Sequence, residues 1–232
     1  MTGSRPPSPP SLVPGRIRAV VFDLDGTLVD SYAAIAASLN HARAAHGLPA
    51  VDAPEVRRAI GHGLEALIAR YLGPERLEDG VLLFREEYSR VLARGTLPAP
   101  GALATLHELH RRGYSLALAS NKPALFSERI LGNLGILPLF RAVQGPERAL
   151  APKPHPAMIR ACLSDLGVGP DAAVYVGDMV LDVETAAAAA VPVILVEGGS
   201  SDASELRRTG ELVLSGISDL LPILPERVCG GP

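Results

Sequence analysis

Residues 16–22 read RIRAVVF, an unbroken run with β-branched and aromatic members and neither glycine nor proline, and the run stops at Asp23. A run this short and without alternation predicts a strand buried on both faces. Residues 114–119 (YSLALA), 173–176 (AVYV) and 193–196 (VILV) repeat the pattern, with weaker candidates at 141–143 and 212–214. Between these runs the period changes. Residues 101–112 bring Leu103, Leu106 and Leu109 round at every third position before Gly113, and residues 156–166 start at Pro156 and end before Gly167. Proline at the start and glycine just past the end is the punctuation of helices. Strands alternating with helices of about a dozen residues predict an α/β fold, a doubly wound parallel sheet covered on both faces. Ligands of such sheets bind beyond the carboxyl ends of the strands.

Residues 32–98 break this rhythm. They hold helical patterns (AAIAASLNHARAAHG, GLEALIARYLG and GVLLFREEYSRVLARG) and no convincing strand, and Pro98, Pro100 and Gly101 mark the return to the sheet. The expected organisation is a tail over 1–15, an α/β core over 16–31 and 99–225, an inserted helical cap over 32–98 and a second tail over 226–232.

Composition narrows the function classes. With 22 basic against 25 acidic side chains, the formal charge is −3 and no basic block occurs. That argues against a nucleic-acid or anionic-membrane binder, since each phosphate contact needs a Lys or Arg. The longest apolar stretches fall short of the ~18 residues that suggest a membrane span, and the first 15 residues lack a signal-peptide core. Cys162 and Cys229 lack metal-ligand spacing, so a reducing cytoplasm is the expected compartment. Glycine and proline number 23 and 21 of the 232 residues, and Trp is absent, a poor composition for packing at first sight. Placement changes this: Pro6, Pro7, Pro9, Pro10 and Pro14 fall in the first tail, whereas Gly26, Pro152, Pro154 and Gly177 sit beside the polar clusters described next.

Polar clusters directly follow buried strands. In VVFDLDGTLVDS, alternation along an extended backbone puts Asp23 and Asp25 on one side. Two carboxylates so close repel unless a cation or shared proton offsets them. One could attack as a nucleophile while its neighbour exchanges a proton with the leaving group. An Asp after a strand is also an ordinary turn or cap residue. In ALASNKP, Ser120 and Asn121 end the 114–119 strand and equally suit a helix cap. Lys153 in ALAPKPHP is stiffened by prolines on both sides. Asp178 follows the 173–176 run, with Asp182 four residues on, where a helix dipole would also favour acids.

Taken together, these four clusters resemble the ordered signatures of the haloacid dehalogenase-like (HAD) phosphohydrolase superfamily, over residues 16 to 220. The resemblance implies Asp23 as nucleophile forming an aspartyl phosphate, and Asp25 as general acid and base. A second Asp is generally missing from dehalogenase members, so Asp25 favours phosphoryl transfer. It further implies Ser120 as a phosphoryl hydrogen-bond donor, Lys153 as the cation neutralising nucleophile and phosphate, Asp178 as a direct metal ligand, and Asp182 in the metal's water shell or on the lysine. Mg²⁺ is the expected cofactor, held by the Asp23 carboxylate, the Asp25 carbonyl and Asp178, because four carboxylates near a phosphate require a hard dication. Backbone N–H groups around Leu24, Asp25, Asn121 and Lys122 could cradle phosphoryl oxygens. The family pattern ends in Ala-Gly where this chain has Ala189-Ala190, which puts the local loop geometry in question.

The 32–98 insertion is expected to choose the substrate. Its segment IGHGLEALI resembles the cap of phosphoglycolate phosphatases, as does the later GTLPAPGALATLHELHRRG. Gly61, His62 and Gly63 are therefore candidate substrate contacts, although an exposed surface His is the commoner case. The expected activity is Mg²⁺-dependent hydrolysis of a small phosphomonoester, 2-phosphoglycolate first, by a monomer or homodimer. The open alternatives are a broad-specificity phosphatase or pyrophosphatase, a β-phosphoglucomutase-type phosphotransferase, and a catalytically silent binding module.

Overall fold

The computed structural model describes residues 9–227. Six parallel strands form one sheet in the order β5-β4-β1-β6-β7-β8: β1 (Ala19–Phe22), β4 (Ser115–Ala119), β5 (Phe140–Gln144), β6 (Ala173–Gly177), β7 (Val193–Val196) and β8 (Leu212–Leu214). The chain starts in the middle of the sheet and winds outward to either edge, which is the doubly wound α/β arrangement. The weaker candidates are its two edge strands. They read weakly because an edge strand is only half buried: β8 is exposed at Leu212 and β5 at Arg141.

Period-two alternation divides the core into two layers. Val20, Phe22, Leu116, Leu118, Val174 and Val176 join α5 (Ala102–Arg111) and α6 (Ala124–Asn133) on one face. The other face carries Ala19, Val21, Ala117, Ala119, Ala173 and Tyr175. Four small side chains in that set let α8 (Ala157–Leu166) lie close to the sheet through Met158, Ile159, Cys162 and Leu163, with α9 (Val180–Ala189) beside it. Cys162 is fully buried and its Sγ donates to Leu118 O at 3.2 Å, a packing role; Cys229 lies outside the described residues. Short helices α7 (Pro146–Ala149), α10 (Ala203–Arg208) and α11 (Leu220–Ile223) complete the core.

Between β1 and β4 the chain leaves the sheet through β2 (Val29–Asp30) and returns through β3 (Leu97–Pro98), which pair antiparallel. This two-stranded neck holds four helices: α1 (Tyr32–Ala45), α2 (Ala53–Ala59), α3 (Leu64–Leu72) and α4 (Leu77–Gly95). The sequence pattern shows three of them. The helix it hides, α2, is a seven-residue turn opened by Asp52, whose side chain accepts from Glu55 N at 2.7 Å, with proline in its first turn. Phe84 stacks on Tyr88 at 5.5 Å between ring centres and Tyr88 meets Phe126 edge to face at 5.1 Å, which ties α4 to core helix α6.

Residues assigned to tails partly join the core. Leu12 packs against it, and Pro14–Arg16 form a single 3₁₀ turn. Glu226 pairs with Arg111 at 2.9 Å, and Arg227 donates to Gly113 O at 2.7 Å. Among the described residues no helix is long and apolar enough to cross a membrane.

Candidate active site

Three strand ends converge. Beyond β1, the loop 23–28 curls back so that Leu28 N and Val29 N both donate to Leu24 O, at 2.9 and 3.1 Å. Gly26 makes this curl possible. Its φ is +87°, and a Cβ there would come within 2.4 Å of Asp178 Oδ2. The neighbouring Thr27 hydroxyl donates to Asp178 Oδ1 at 3.0 Å, so the β1 loop positions the acid that ends β6.

Asp178 is wholly buried, and its second oxygen accepts from Ser200 N at 2.6 Å in the loop after β7. That loop must come close, since a Cβ on Gly199 would sit 2.0 Å from Asp178 Oδ2. Burial, then the charges of Asp182 and Asp23, push the Asp178 carboxyl well above the ordinary carboxylate range. Oxygens of Asp23, Asp178 and Asp182 lie within 4.8 Å of one another.

Lys153 reaches this cluster from the loop before α8. Its Nζ lies 2.8 Å from Asp182 Oδ1 and 2.9 Å from Asp23 Oδ1. The Asp23 contact is an ion pair outside hydrogen-bond geometry, which leaves that buried oxygen without a hydrogen-bond donor. Burial works against the ammonium charge, but Asp182 and Asp23 outweigh it and raise the Lys153 pKa. Asp182 is saturated: Oδ2 accepts from Asp178 N and Met179 N at 3.0 Å each, and Oδ1 takes Lys153 with Tyr175 OH 3.3 Å away.

Asp25 stands apart from the acidic triad. Its Oδ1 accepts from the Ser31 hydroxyl, and its Oδ2 pairs with Lys122 Nζ at 2.9 Å. Ser120 and Asn121 follow β4. The Asn121 side chain is already occupied: Nδ2 donates to Gly61 O of the helical insertion at 2.7 Å, and Oδ1 accepts from Lys153 N at 2.7 Å. These two bonds fix the orientation of the side chain, and its backbone N–H remains available to a ligand.

Asp23, Asp25, Ser120, Lys122, Lys153 and Asp182 border one cavity of about 70 Å³, roofed by Gly61, Gly63 and apolar side chains of the insertion. His62 is absent from its wall. It is exposed, because the backbone turns through two glycines of positive φ, +121° at Gly61 and +92° at Gly63, and these carry the intervening side chain outward.

Comparison with known proteins fixes the family. The model of the haloacid dehalogenase-like hydrolase family matches residues 20–196. The chain belongs to this family. A phosphoglycolate phosphatase of Yersinia pseudotuberculosis is 35% identical over 216 residues, covering 90% of this chain and 93% of that protein. One of Rhodospirillum rubrum is 37% identical over 195 residues, covering 79% and 81%. Among solved structures, a predicted phosphoglycolate phosphatase from Haemophilus somnus superimposes with a TM-score of 0.82 at 27% identity, covering 90% of this chain and 99% of that one. Such relatives make this HAD-like hydrolase an enzyme acting on phosphoric monoesters.

Several residues that build this HAD-like site escape the sequence patterns. Lys122 counts there only for its backbone N–H, although its side chain holds Asp25. The signal was the strand-end position of SNK, read two residues deep instead of three. Ser200 follows β7, and the rule that ligands gather at strand carboxyl ends would have marked VEGGSS as it marked the other loops. Tyr88 and Tyr175 carried no signal, because each sits at an ordinary core position of its helix or strand.

Proposed function

We propose that this HAD-like enzyme hydrolyses a small phosphomonoester, 2-phosphoglycolate, through a phosphorylated Asp23. The observation that carries the reading is the asymmetry between the two carboxylates of the β1 loop. Asp23 has an oxygen without a hydrogen-bond donor in the buried cluster, beside the ammonium of Lys153. Asp25 is drawn to the other side of the cavity by Ser31 and Lys122. One carboxylate is thus placed to attack and the other to exchange protons.

In the first step an oxygen of Asp23 forms a bond to phosphorus while the ester P–O bond breaks, and Asp25 delivers its proton to the departing alkoxide. In the second, Asp25 takes a proton from water as that water attacks phosphorus and the bond to Asp23 breaks. Lys153 balances charge on Asp23 and the phosphoryl group throughout, and the Ser120 hydroxyl donates to a phosphoryl oxygen. The N–H groups of Leu24 and Asn121 engage no backbone acceptor among the described residues and complete the cradle.

Mg²⁺ fits the donor set. Four carboxylates gather with two ammonium groups, Lys122 and Lys153, which leaves two negative charges uncompensated. Asp23, Asp178 and the Asp25 carbonyl would hold the ion, and Asp182, saturated by other donors, would orient Asp178 and Lys153. The ion supplies charge neutralisation at the phosphoryl group.

The substrate assignment comes from the names of the relatives. The roof of Gly61, Gly63 and apolar side chains closes over Asp23 and Lys153, and that cover favours a small ester. A panel of phosphate esters tests the whole reading. The expected result is a preference for 2-phosphoglycolate, loss of turnover in EDTA, and a folded but inactive Asp23→Asn protein. Near wild-type turnover by that variant sinks the covalent mechanism, EDTA resistance sinks the metal, and another ester better by more than about tenfold sinks the substrate.

A further inference from the structure

The roof of the cavity is apolar. Ile60, Leu64, Leu67 and Phe84 face it from the insertion and Met179 from the core, and among the described residues no Arg or His borders it. Lys122 and Lys153 are its two cations among the described residues, and Lys153 is committed between Asp23 and Asp182.

Lys122 is placed differently. Its side chain is only 7% exposed, its one ion-pair partner among the described residues is Asp25, and its Nζ stands 4.6 Å from the centre of the Tyr88 ring. An ammonium carries three N–H donors, so one partner leaves it capacity for a second anion. Tyr88 is fully buried and borders the same cavity, yet its hydroxyl, whose polar neighbours are Lys122 and the equally unsatisfied Thr96 hydroxyl, makes no hydrogen bond of proper geometry. A buried hydroxyl without a partner is costly to maintain, and such groups ordinarily mark a place where something else binds. A spare ammonium and an unpaired phenol side by side, beneath an apolar roof, are complementary to one ligand chemistry, a small anion with two acceptor oxygens.

We propose that Lys122 and Tyr88 form the subsite for the acid end of the substrate, a carboxylate carried by the leaving group. The proposal rests on the phosphatase reading above and deepens it. The phosphoryl group meets Asp23, Ser120 and Lys153, and the carboxylate meets Lys122 and Tyr88 across the cavity. Lys122 then bridges the substrate carboxylate and Asp25, so an acid-ended ester also sets the position of the group that protonates its own leaving oxygen. An ester ending in a methyl group leaves the Tyr88 hydroxyl unpaired and makes no use of the lysine. Specificity arises from that penalty, because a site built to hydrogen-bond a polar end discriminates strongly against analogues lacking it.

The test compares 2-phosphoglycolate with ethyl phosphate, which has nearly the same shape and lacks the carboxylate, in wild-type, Tyr88→Phe and Lys122→Met proteins. Tyr88→Phe removes one hydroxyl and keeps the ring stacked on Phe84 and edge to face with Phe126. The wild type is expected to favour 2-phosphoglycolate in kcat/KM by more than about tenfold. Lys122→Met is expected to reduce that ratio by about 10- to 100-fold and Tyr88→Phe by about three- to tenfold, with KM for 2-phosphoglycolate carrying most of the change. Equal losses on both esters mean that Lys122 serves only to hold Asp25, and overturn the subsite. A wild-type ratio near one also overturns it while leaving the phosphatase reading intact. Absence of turnover on every ester takes down the phosphatase reading and the subsite with it. If Lys122→Met fails to fold, the Tyr88→Phe ratio decides.

Discussion

Lys153 Nζ sits 2.8 Å from Asp182 Oδ1, with the lysine side chain 3% exposed and the aspartate 1%. The same ammonium is 2.9 Å from Asp23, so one cation compensates two buried carboxylates. Removing it leaves both uncompensated, the costly way to break a buried ion pair, at about 3–5 kcal/mol. Lys153→Met is expected to lower the Tm of the metal-free protein by about 10 °C, at roughly 2–4 °C per kcal/mol for a chain this long. Turnover is expected to fall by about a thousandfold or more, because charge balance at the phosphoryl group is lost as well. Calorimetry of the apoprotein and steady-state kinetics check the two halves separately. A variant as stable as the wild type would show that the contact does not carry this load.

The residues of this pair differ in how readable they are. Asp182 follows a buried strand at helix spacing from Asp178, so pattern alone finds it, and the same holds for Asp23 and Ser120 at the ends of β1 and β4. Asp23, Ser120 and Asp178 sit where an unbroken apolar run stops, and parallel topology brings those ends together. Lys153 needed the family resemblance, since a loop lysine between prolines has no periodicity to mark it. The pairing of Asp25 with Lys122, and the Tyr88 hydroxyl, were beyond pattern reading for another reason. The first joins the loops after β1 and β4, and the second is placed by how the α1–α4 insertion meets the core where Tyr88 packs on Phe126; neither is local in sequence. His62 shows the converse: adjacent to the right glycines, it is turned outward by them.

Magnesium should stabilise the fold in a pH-dependent way. The Asp178 carboxyl is raised by burial first and by Asp182 and Asp23 after it. A raised folded-state pKa means that the group favours the fold while protonated. Its contribution is complete below the ordinary value near 3.8 and is lost as pH rises through the higher folded value. Above that folded value the ionised carboxylate weighs against the apoprotein, and a bound dication relieves it. At about 100 times its Kd the ion adds roughly 2.7 kcal/mol, a rise of about 5–10 °C in Tm. That increment is expected to shrink as pH is lowered toward the ordinary carboxylate range, where protons compete for Asp178. Thermal melts with and without MgCl₂ between neutral and acidic pH measure it, and an increment that grows on acidification contradicts the assignment.

Arg57 ties the helical insertion to the loop that holds Asp178. From α2 it donates to Gly199 O at 2.7 and 3.0 Å and to Gly198 O, and it stacks 4.7 Å from the Tyr32 ring centre. The next residue, Ser200, donates its N–H to Asp178 and shares a 2.9 Å hydroxyl contact with Tyr32. Arg57→Ala should loosen both, raising KM by about three- to tenfold and destabilising by roughly 1–2 kcal/mol. Hydrogen exchange at residues 198–201 is the direct readout, and it should quicken in the variant. Unchanged exchange together with unchanged KM would mean that the latch is idle.

Ala190 is the position where this chain departs from the Ala-Gly of its family. It ends α9 with φ +58° and ψ +37°, a left-handed residue whose N–H donates to Ala187 O at 3.0 Å, while Val191 N donates to Ala186 O at 3.0 Å. The turn a glycine would make is thus kept with alanine in its place. Its Cβ costs about 1–2 kcal/mol in that region, partly offset because glycine gains more freedom in the unfolded chain. Ala190→Gly should therefore stabilise the protein by about 1 kcal/mol and raise Tm by roughly 2–4 °C. Ala190 is exposed and at the far end of α9 from Asp182, so kcat should stay within about twofold. A thermal melt of the two proteins side by side decides it: a lower Tm in the glycine variant would mean that the helix does not end in a left-handed turn, and that the missing glycine changed the path of the chain between α9 and β7.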